Sequence, residues 1–224
     1  RKYWMKRQMV INRIMAVILV CVMLLNTRVV CLAGETKNDN KVTVVSVVTN
    51  GKTMAALAED GGLYCWGKNE SGQIGNGSDV DQTYPMRIMN NIREIYLGMI
   101  NIGLYNRGTT AAISYSGDLY CWGDNRYGQV GNGNTDNQHK PVKILENVES
   151  VQIVEGCSAA ITKTGDLYCW GYNKYGEVGN GNTDNQYEPV KVLQNVKRII
   201  VSAGNKLALT NSGEAYYWGR NETT

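Results

Sequence analysis

A seven-residue segment recurs along the chain, and its spacing constrains the fold more than any other feature. Residues 117–123 and 165–171 both read Gly-Asp-Leu-Tyr-Cys-Trp-Gly, residues 61–67 differ only at the second position, and residues 213–219 are a more divergent copy. The tryptophans of the four copies stand at positions 66, 122, 170 and 218, at spacings of 56, 48 and 48 residues. Self-similarity at a period near 50 predicts an array of small units, none of which buries its apolar face alone.

Each period divides into one loop and four short runs of strand-forming residues. The loop after Trp170 is dense in Gly and Asn, which favours tight turns with positive φ. The runs that follow it occupy residues 189–193, 196–201, 206–210 and 214–218, and Asn-Ser-Gly joins the last two. Four short strands per 48 residues, with no helical period, predict an all-β fold of four-stranded antiparallel blades.

The pattern Gly-x-Leu-Tyr-Cys-Trp-Gly-x-Asn-x-x-Gly-x-Val/Ile-Gly-Asn-Gly, followed by a proline and Val-x-x-Ile, resembles the RCC1 repeat (regulator of chromosome condensation). The resemblance covers about residues 41–224. It implies a circular β-propeller, usually of seven blades. Counting strands gives three full blades and a first blade without its opening strand, about three and a half to four in all. We therefore expect an incomplete ring, as in a fragment of a longer protein.

The repeated tryptophans and glycines are predicted to hold the fold. A buried indole removes roughly 150–250 Å² from water, enough to carry much of the packing between blades. We assign this role to Trp66, Trp122, Trp170 and Trp218. The glycines that follow them are part of the same structural signature: Gly67, Gly123, Gly171 and Gly219. Two further sets, Gly75/Gly131/Gly179 and Gly77/Gly133/Gly181, are expected at loop positions where a Cβ would clash.

The N-terminal segment is of a different kind. Residues 1–33 contain six Lys or Arg and no acid, and residues 14–25 are twelve consecutive apolar residues. A basic start before a short apolar run favours a signal peptide, cleaved near Ala33, over a membrane span of about 20 residues. An uncleaved N-terminal anchor, through a hydrophobic helix, is the alternative. We divide the chain into this segment (1–33), a linker (34–41) and the repeats (42–224), and expect a secreted or cell-surface bacterial protein.

The charge of the repeats argues against nucleic-acid binding. The whole chain carries +3, but residues 34–224 hold 17 Lys or Arg and 20 Asp or Glu, a net charge of −3. Nonspecific nucleic-acid binding depends on a basic surface. Together with the predicted export, this argues against the guanine-nucleotide exchange and chromatin role of the family's namesake.

The cysteine positions do not indicate a disulfide framework. Cys65, Cys121 and Cys169 occupy one repeat position, and hairpin turns near Lys163 and its equivalents would place Ala55, Ala111 and Ala159 opposite them. We expect buried apolar thiols. A bridge between Cys157 and Cys169, which lie diagonally on neighbouring strands, is the alternative.

The sequence offers little for catalysis. The single histidine, His139, is expected at the surface of a loop. Asp136 and Asp184 recur in a motif whose composition is that of a calcium loop but whose spacing is not. No Cys-x-x-Cys pair indicates zinc. We therefore predict no catalytic residues, no metal and no cofactor.

Binding residues are sought where the repeats differ from one another. Tyr and Arg are enriched at protein interfaces. The candidates after the Trp-Gly pairs are Arg126, Tyr127, Tyr172 and Tyr175. The second repeat also holds eight extra residues within 98–107, with apolar side chains that would form a partner-binding finger or lie under another part of the protein: Ile100, Ile102, Leu104 and Tyr105, beside Met99.

These features predict a non-catalytic module that presents propeller loops to a protein partner. Exported bacterial RCC1-like propellers are the nearest analogy. A structural or adhesion array of a larger surface protein, and an accessory domain of an enzyme, are the alternatives. Membrane attachment is expected only through the N-terminal segment.

Overall fold

The computed structural model describes residues 29–31, 42–99, 107–154, 156–202 and 204–220. This part of the chain forms sixteen β-strands in four antiparallel sheets and contains no helix. It therefore contains no helix long and apolar enough to cross a membrane. The apolar run at residues 14–25, and with it the expected N-terminal helix, lies outside the described residues.

Each sheet is one blade, with its strands in chain order. Blade 1 contains β1 Val29–Cys31, β2 Val42–Thr49, β3 Thr53–Ala58, β4 Leu63–Gly67 and β5 Gln82–Met89. Blade 2 contains β6 Ile92–Met99, β7 Gly108–Ser114, β8 Leu119–Gly123 and β9 Gln138–Leu145. Blade 3 contains β10 Val148–Val154, β11 Cys157–Thr162, β12 Leu167–Gly171 and β13 Gln186–Leu193. Blade 4 contains β14 Val196–Ser202, β15 Asn205–Thr210 and β16 Ala215–Gly219.

The all-β prediction with four-stranded blades is confirmed, but the incomplete blade is not the one expected. The run after each proline, such as β5 or β13, pairs with the strand that holds the Trp-Gly signature before it, so it closes one blade instead of opening the next. Blade 1 therefore has four strands from β2 to β5, with Val47 of β2 opposite Ala56 of β3. It gains a fifth strand, β1, which lies within the segment assigned to the N-terminal signal or anchor and pairs with the edge of β2 that faces away from β3. Blade 4 is the one with three described strands.

The hydrophobic cores lie between consecutive blades. Ala55 and Cys65 of blade 1 pack with Ile92 and Ala112 of blade 2. Equivalent clusters join blades 2 and 3, and blades 3 and 4. Because each face is covered by the next blade, stability depends on contacts between successive repeats rather than within one repeat.

A tryptophan stands at each of these junctions. Trp122 and Trp170 are fully buried, and their indole Nε1–H groups donate to the carbonyl oxygens of Gln73 (3.0 Å) and Gln129 (2.9 Å) in the loop of the preceding blade. Trp218 repeats the contact with Glu177 at 3.1 Å. Each indole therefore fills apolar space and satisfies a backbone carbonyl of its neighbour.

Glycine is required where the indole meets that loop. A Cβ added to Gly75, Gly131 or Gly179 would lie 2.5–2.7 Å from the Nε1 atom of the tryptophan in the next blade. The glycine after each tryptophan has another reason: a Cβ on Gly171 would lie 2.3 Å from the carbonyl oxygen of Gly156. Of the third predicted set, Gly181 has open space around it, so its positive φ of 87° is the constraint there.

In the described part of the repeats, the cysteines are buried free thiols: Cys65, Cys121, Cys157 and Cys169. The predicted cross-strand partners are confirmed, since Cys65, Cys121 and Cys169 pair with Ala55, Ala111 and Ala159. The alternative of a Cys157–Cys169 bridge is not what the structure contains, because Cys157 lies opposite Gly171. Burial raises the pKa of the three repeat-position thiols well above their ordinary value of 9.0.

The glycine contact predicts a difference between two Gly→Ala substitutions. Gly131→Ala and Gly181→Ala both place an alanine at positive φ, which costs about 1–2 kcal/mol. Only Gly131→Ala also pushes a methyl group into a buried indole, which adds about 1–3 kcal/mol. Urea unfolding of both variants measures the difference. Equal losses of stability would show that the indole contact contributes nothing.

The thiols predict a loss of stability at high pH. Their pKa values are raised by folding, so they stay protonated in the folded state while unfolded thiols ionise above about 9. Below about pH 9 the protonated thiols make their full contribution to the unfolding free energy. As pH rises beyond about 9, this contribution is lost at up to about 1.4 kcal/mol per pH unit for each thiol. Unfolding free energy should fall more steeply in the wild type than in a triple variant with Cys65, Cys121 and Cys169 changed to Ala. Parallel pH curves would contradict this prediction.

Candidate functional site

The Gly-rich loops and the starts of the second strands lie at the same end of the blades, called here the loop end. Hydrogen bonds fix this arrangement: the backbone N–H of Asp124 donates to the carbonyl of Gly108 (3.0 Å), and that of Tyr172 to the carbonyl of Gly156 (2.9 Å). The residues that follow each Trp-Gly pair are therefore presented together on one surface.

Buried asparagines hold the loops in one conformation despite their glycine content. The side chain of Asn125 is fully buried, and its Oδ1 accepts from the backbone N–H of Val130 (2.9 Å). Its Nδ2 donates to the carbonyls of Asn134 and Asp136, both at 3.0 Å. Asn173 makes the same contacts in blade 3. Exposed side chains on these loops consequently stand on a pre-organised base, which lowers the entropy lost on binding.

Three of the predicted contact residues form one group, the tyrosine cluster: Tyr127, Tyr172 and Tyr175. The rings of Tyr127 and Tyr172 meet edge to face with centroids 5.0 Å apart, and those of Tyr172 and Tyr175 are 6.4 Å apart. Tyr127 comes from blade 2 and the other two from blade 3, so the cluster spans a junction. Tyr175 is 45% exposed, and the other two are half-buried.

Cations border the tyrosine cluster. The guanidinium of Arg126 lies 5.6 Å from the ring centroid of Tyr127, and that of Arg220 lies 5.1 Å from the centroid of Tyr175. Lys174 Nζ is 5.9 Å from the same ring. These are cation–π distances, so the rim of the cluster is positively charged while its centre is aromatic.

Arg126 is oriented by a buried acid. Its Nε and Nη2 donate to the two carboxylate oxygens of Asp124, at 2.9 and 3.1 Å, and Gln129 Nε2 also donates to that carboxylate. Asp124 is fully buried, whereas the Arg126 side chain is 37% exposed. The bidentate pair holds the guanidinium at the surface in a defined position.

The hydroxyl group of Tyr172 stays uncharged near neutral pH. Burial, followed by the nearby Glu177 carboxylate, raises the pKa of Tyr172 above its ordinary value. The central ring of the cluster therefore carries a neutral hydroxyl group that can both donate and accept a hydrogen bond.

The structure does not place every predicted contact residue. Ile100, Ile102, Leu104 and Tyr105 lie outside the described residues. The strands that flank them end at Met99 and begin at Gly108, which pair with each other. The end of β6 and the start of β7 therefore lie together at the loop end.

Sequence reasoning missed three residues of this surface. Asp124, Lys174 and Arg220 occur at positions that vary between repeats, but a single position does not show which variable side chains meet. The available signal was that Asp124 precedes Arg126 by two residues in a loop, where an ion pair is readily formed. The expected loop position of His139 is wrong, because His139 lies in strand β9 and is half-buried. Its ring packs on Gly72 in the loop of blade 1, where an added Cβ would lie 2.4 Å from its Cδ2.

Within the described ranges, no group of three or more His, Cys, Asp or Glu side chains converges as a metal site would require.

Comparison with family models gives matches over more than half of the chain. The model described as "Regulator of chromosome condensation (RCC1) repeat" matches residues 60–98, 116–161 and 164–209. A second model of the same description matches residues 44–73. These ranges follow the three repeats that carry the Trp-Gly signature most clearly.

Among curated proteins, the human E3 ubiquitin-protein ligase HERC2 is 32% identical over 111 residues, 50% of this chain and 2% of HERC2. The Arabidopsis thaliana ultraviolet-B receptor UVR8 is 36% identical over 103 residues, 46% of this chain and 22% of UVR8. The chain thus spans a small part of the length of either relative.

Among solved structures, Prp20p from Saccharomyces cerevisiae superposes with a TM-score of 0.65 at 20% identity, covering 82% of this chain and 47% of Prp20p. Human WBSCR16 superposes with a TM-score of 0.62 at 23% identity, covering 84% of this chain and 50% of WBSCR16. At such identities the similarity shows the fold, and this chain corresponds to about half of each of those chains.

Proposed function

We propose that this chain, which belongs to the RCC1 repeat family, is a non-catalytic binding module that holds a protein partner at its loop end. The observation that carries the proposal is the tyrosine cluster with its cationic rim, built across a blade junction on rigid loops.

The composition of this surface favours a protein over other ligands. Tyr and Arg are enriched at the energetically dominant positions of protein interfaces, because they bury a large area with few rotatable bonds. The rings are half-exposed, and their supporting backbone is already ordered by Asn125 and Asn173. A partner with exposed carboxylates beside an apolar side chain would complement the arginines and the rings together.

The fold neighbours support a protein partner in general terms. The structure of Prp20p is described together with its binding to Gsp1p and histones, and another is of yeast RCC1 (Prp20) bound to Kap60. Those partners belong to Prp20p. Residues 34–224 of this chain carry −3, which does not favour nucleic acid, and guanine-nucleotide exchange is not part of the proposal.

Export is part of the proposal and rests on the N-terminal sequence. Six basic residues and a run of twelve apolar residues precede the repeats, as in a bacterial signal peptide or N-terminal anchor. The partner would then be another secreted or surface protein.

One alternative is an accessory domain of a larger enzyme. It is favoured by the matches to E3 ligases such as HERC2 and HERC5, of which this chain covers 2% and 9%. In that case the tyrosine cluster would hold a substrate or a second domain rather than a separate partner. A structural or adhesion array remains the other alternative.

The proposal predicts that Tyr172→Ala weakens partner binding at least tenfold, because it removes the central ring of the cluster. The matched control is Tyr115→Ala, an exposed tyrosine (59%) at the hairpin between β7 and β8, away from the loop end. Proteins captured from the secreted and surface fractions of the source cells by immobilised wild-type chain are identified, and their affinities for the three chains are measured by calorimetry.

Equal affinity of Tyr172→Ala and Tyr115→Ala for a captured partner would contradict the proposed surface. Deletion of residues 99–106 tests the expected finger separately: loss of binding with an unchanged unfolding curve assigns the contact to that connection, and full binding removes it from the interface.

A further inference from the structure

Two of the three described blade junctions share one hydrogen-bond arrangement, and the third departs from it. At the first two junctions a loop carbonyl accepts from the tryptophan indole and from a hydroxyl group of the next blade: Gln73 from Thr110 (2.7 Å), and Gln129 from Ser158 (2.8 Å). At the third junction the carbonyl belongs to Glu177, and Lys206 stands where the others have Thr110 and Ser158.

Lys206 is 2% exposed and lies between two blades. Its Nζ donates to the carbonyl of Glu177 and also to Sγ of Cys157, at 2.8 Å. The Cys157 thiol in turn donates to the carbonyl of Trp170 (3.3 Å).

Comparison between repeats shows three coordinated changes at this junction. Cys157 begins β11 where Thr109 and Thr53 occupy the equivalent register position opposite the glycine after the tryptophan. Glu177 replaces Gln129 and Gln73, and Lys206 replaces the hydroxyl residues. A hydroxyl group would satisfy the same carbonyl without burying an ammonium, which is costly in a low-dielectric interior. The structural need alone therefore does not account for an amine in contact with a thiol.

We propose that Cys157 and Lys206 form a covalent sulfur–nitrogen bond when a hydroperoxide oxidises the thiol, and that this bond ties blade 3 to blade 4. The sulfur attacks one oxygen of the hydroperoxide and becomes a sulfenic acid. The O–O bond breaks, and the other oxygen leaves as an alcohol, or as water when the oxidant is hydrogen peroxide. The Lys206 nitrogen, having lost a proton, then attacks that sulfur, and water leaves.

The reaction balances without another reagent: Cys–SH plus Lys–NH₃⁺ plus ROOH gives Cys–S–NH–Lys plus ROH, water and one proton. The sulfur loses two electrons and the peroxide oxygen gains them. Thiol reductants reverse it, giving back the free thiol and amine.

The surroundings of Cys157 distinguish it from the other buried thiols as the one placed to react with an amine. Cys65 and Cys121 lie in apolar clusters, and their pKa values are raised by burial alone. Burial also raises the pKa of the Cys157 thiol, but the charge and hydrogen bond of Lys206 oppose that rise. The amine therefore offsets part of the loss of thiolate that burial causes at Cys157, and at 2.8 Å from Sγ it is already in place to trap the sulfenic acid.

The experiment treats the folded full chain with hydrogen peroxide and analyses it by proteolysis and tandem mass spectrometry. We expect a peptide pair that joins Cys157 to Lys206, has lost two hydrogen atoms relative to the separate peptides, and disappears after dithiothreitol. Protein unfolded in urea before oxidation should give none, because the contact exists only between folded blades.

The repeats supply the matched variants. Cys157→Thr and Lys206→Ser restore the residue types of the other junctions, so both should fold and both should lose the linked pair. Cys169→Ala should keep it, which excludes a Cys157–Cys169 disulfide of the same mass change. A disulfide to Cys169, an unlinked sulfenic or sulfinic acid at Cys157, or no change in the folded chain would each overturn the proposal.

Discussion

The structure depends on one contact that recurs between blades: an indole N–H from one blade donating to a loop carbonyl of the blade before it. At the first two junctions the donors, Trp122 and Trp170, are fully buried, and the acceptors lie in the preceding loop. The contact joins apolar burial to a hydrogen bond, and a glycine leaves room for the ring. It also fixes the loop whose neighbouring residues form the loop-end surface. Packing between blades and presentation of the tyrosine cluster are therefore two results of one interaction.

Much of the fold was predictable from the sequence because the same strand and turn pattern occurs in several repeats. The Trp-Gly copies gave the blade period, and the turn residues gave the hairpin register, so the partners of Cys65, Cys121 and Cys169 followed directly. The position of the incomplete blade did not follow, because the sequence does not show whether the run after each proline pairs with the strand before the loop or with the run after it, and it pairs with the strand before.

The candidate surface was only partly predictable. Interface-prone residue types pointed to Tyr127 and Tyr172, but not to their edge-to-face contact, which requires knowing how far blade 2 is rotated from blade 3. The role of Asp124 as the buried partner of Arg126 was hidden for a similar reason, since an acid in a Gly-rich loop is usually solvated. The contact between Cys157 and Lys206 joins residues 49 positions apart and has no local pattern. The positions that vary between repeats indicate where binding or reactive residues lie, but only the packing of the blades shows which of these residues are in contact.

The central claim is most directly tested by hydrogen exchange of the tryptophan indole N–H groups, observed by nuclear magnetic resonance. The Nε1–H groups of Trp122 and Trp170 should exchange only through opening of the blade junctions, so their protection should match that of the strand amides around them. Exchange of both groups at the rate of a free indole would contradict the account, because the rings would then not be held between blades.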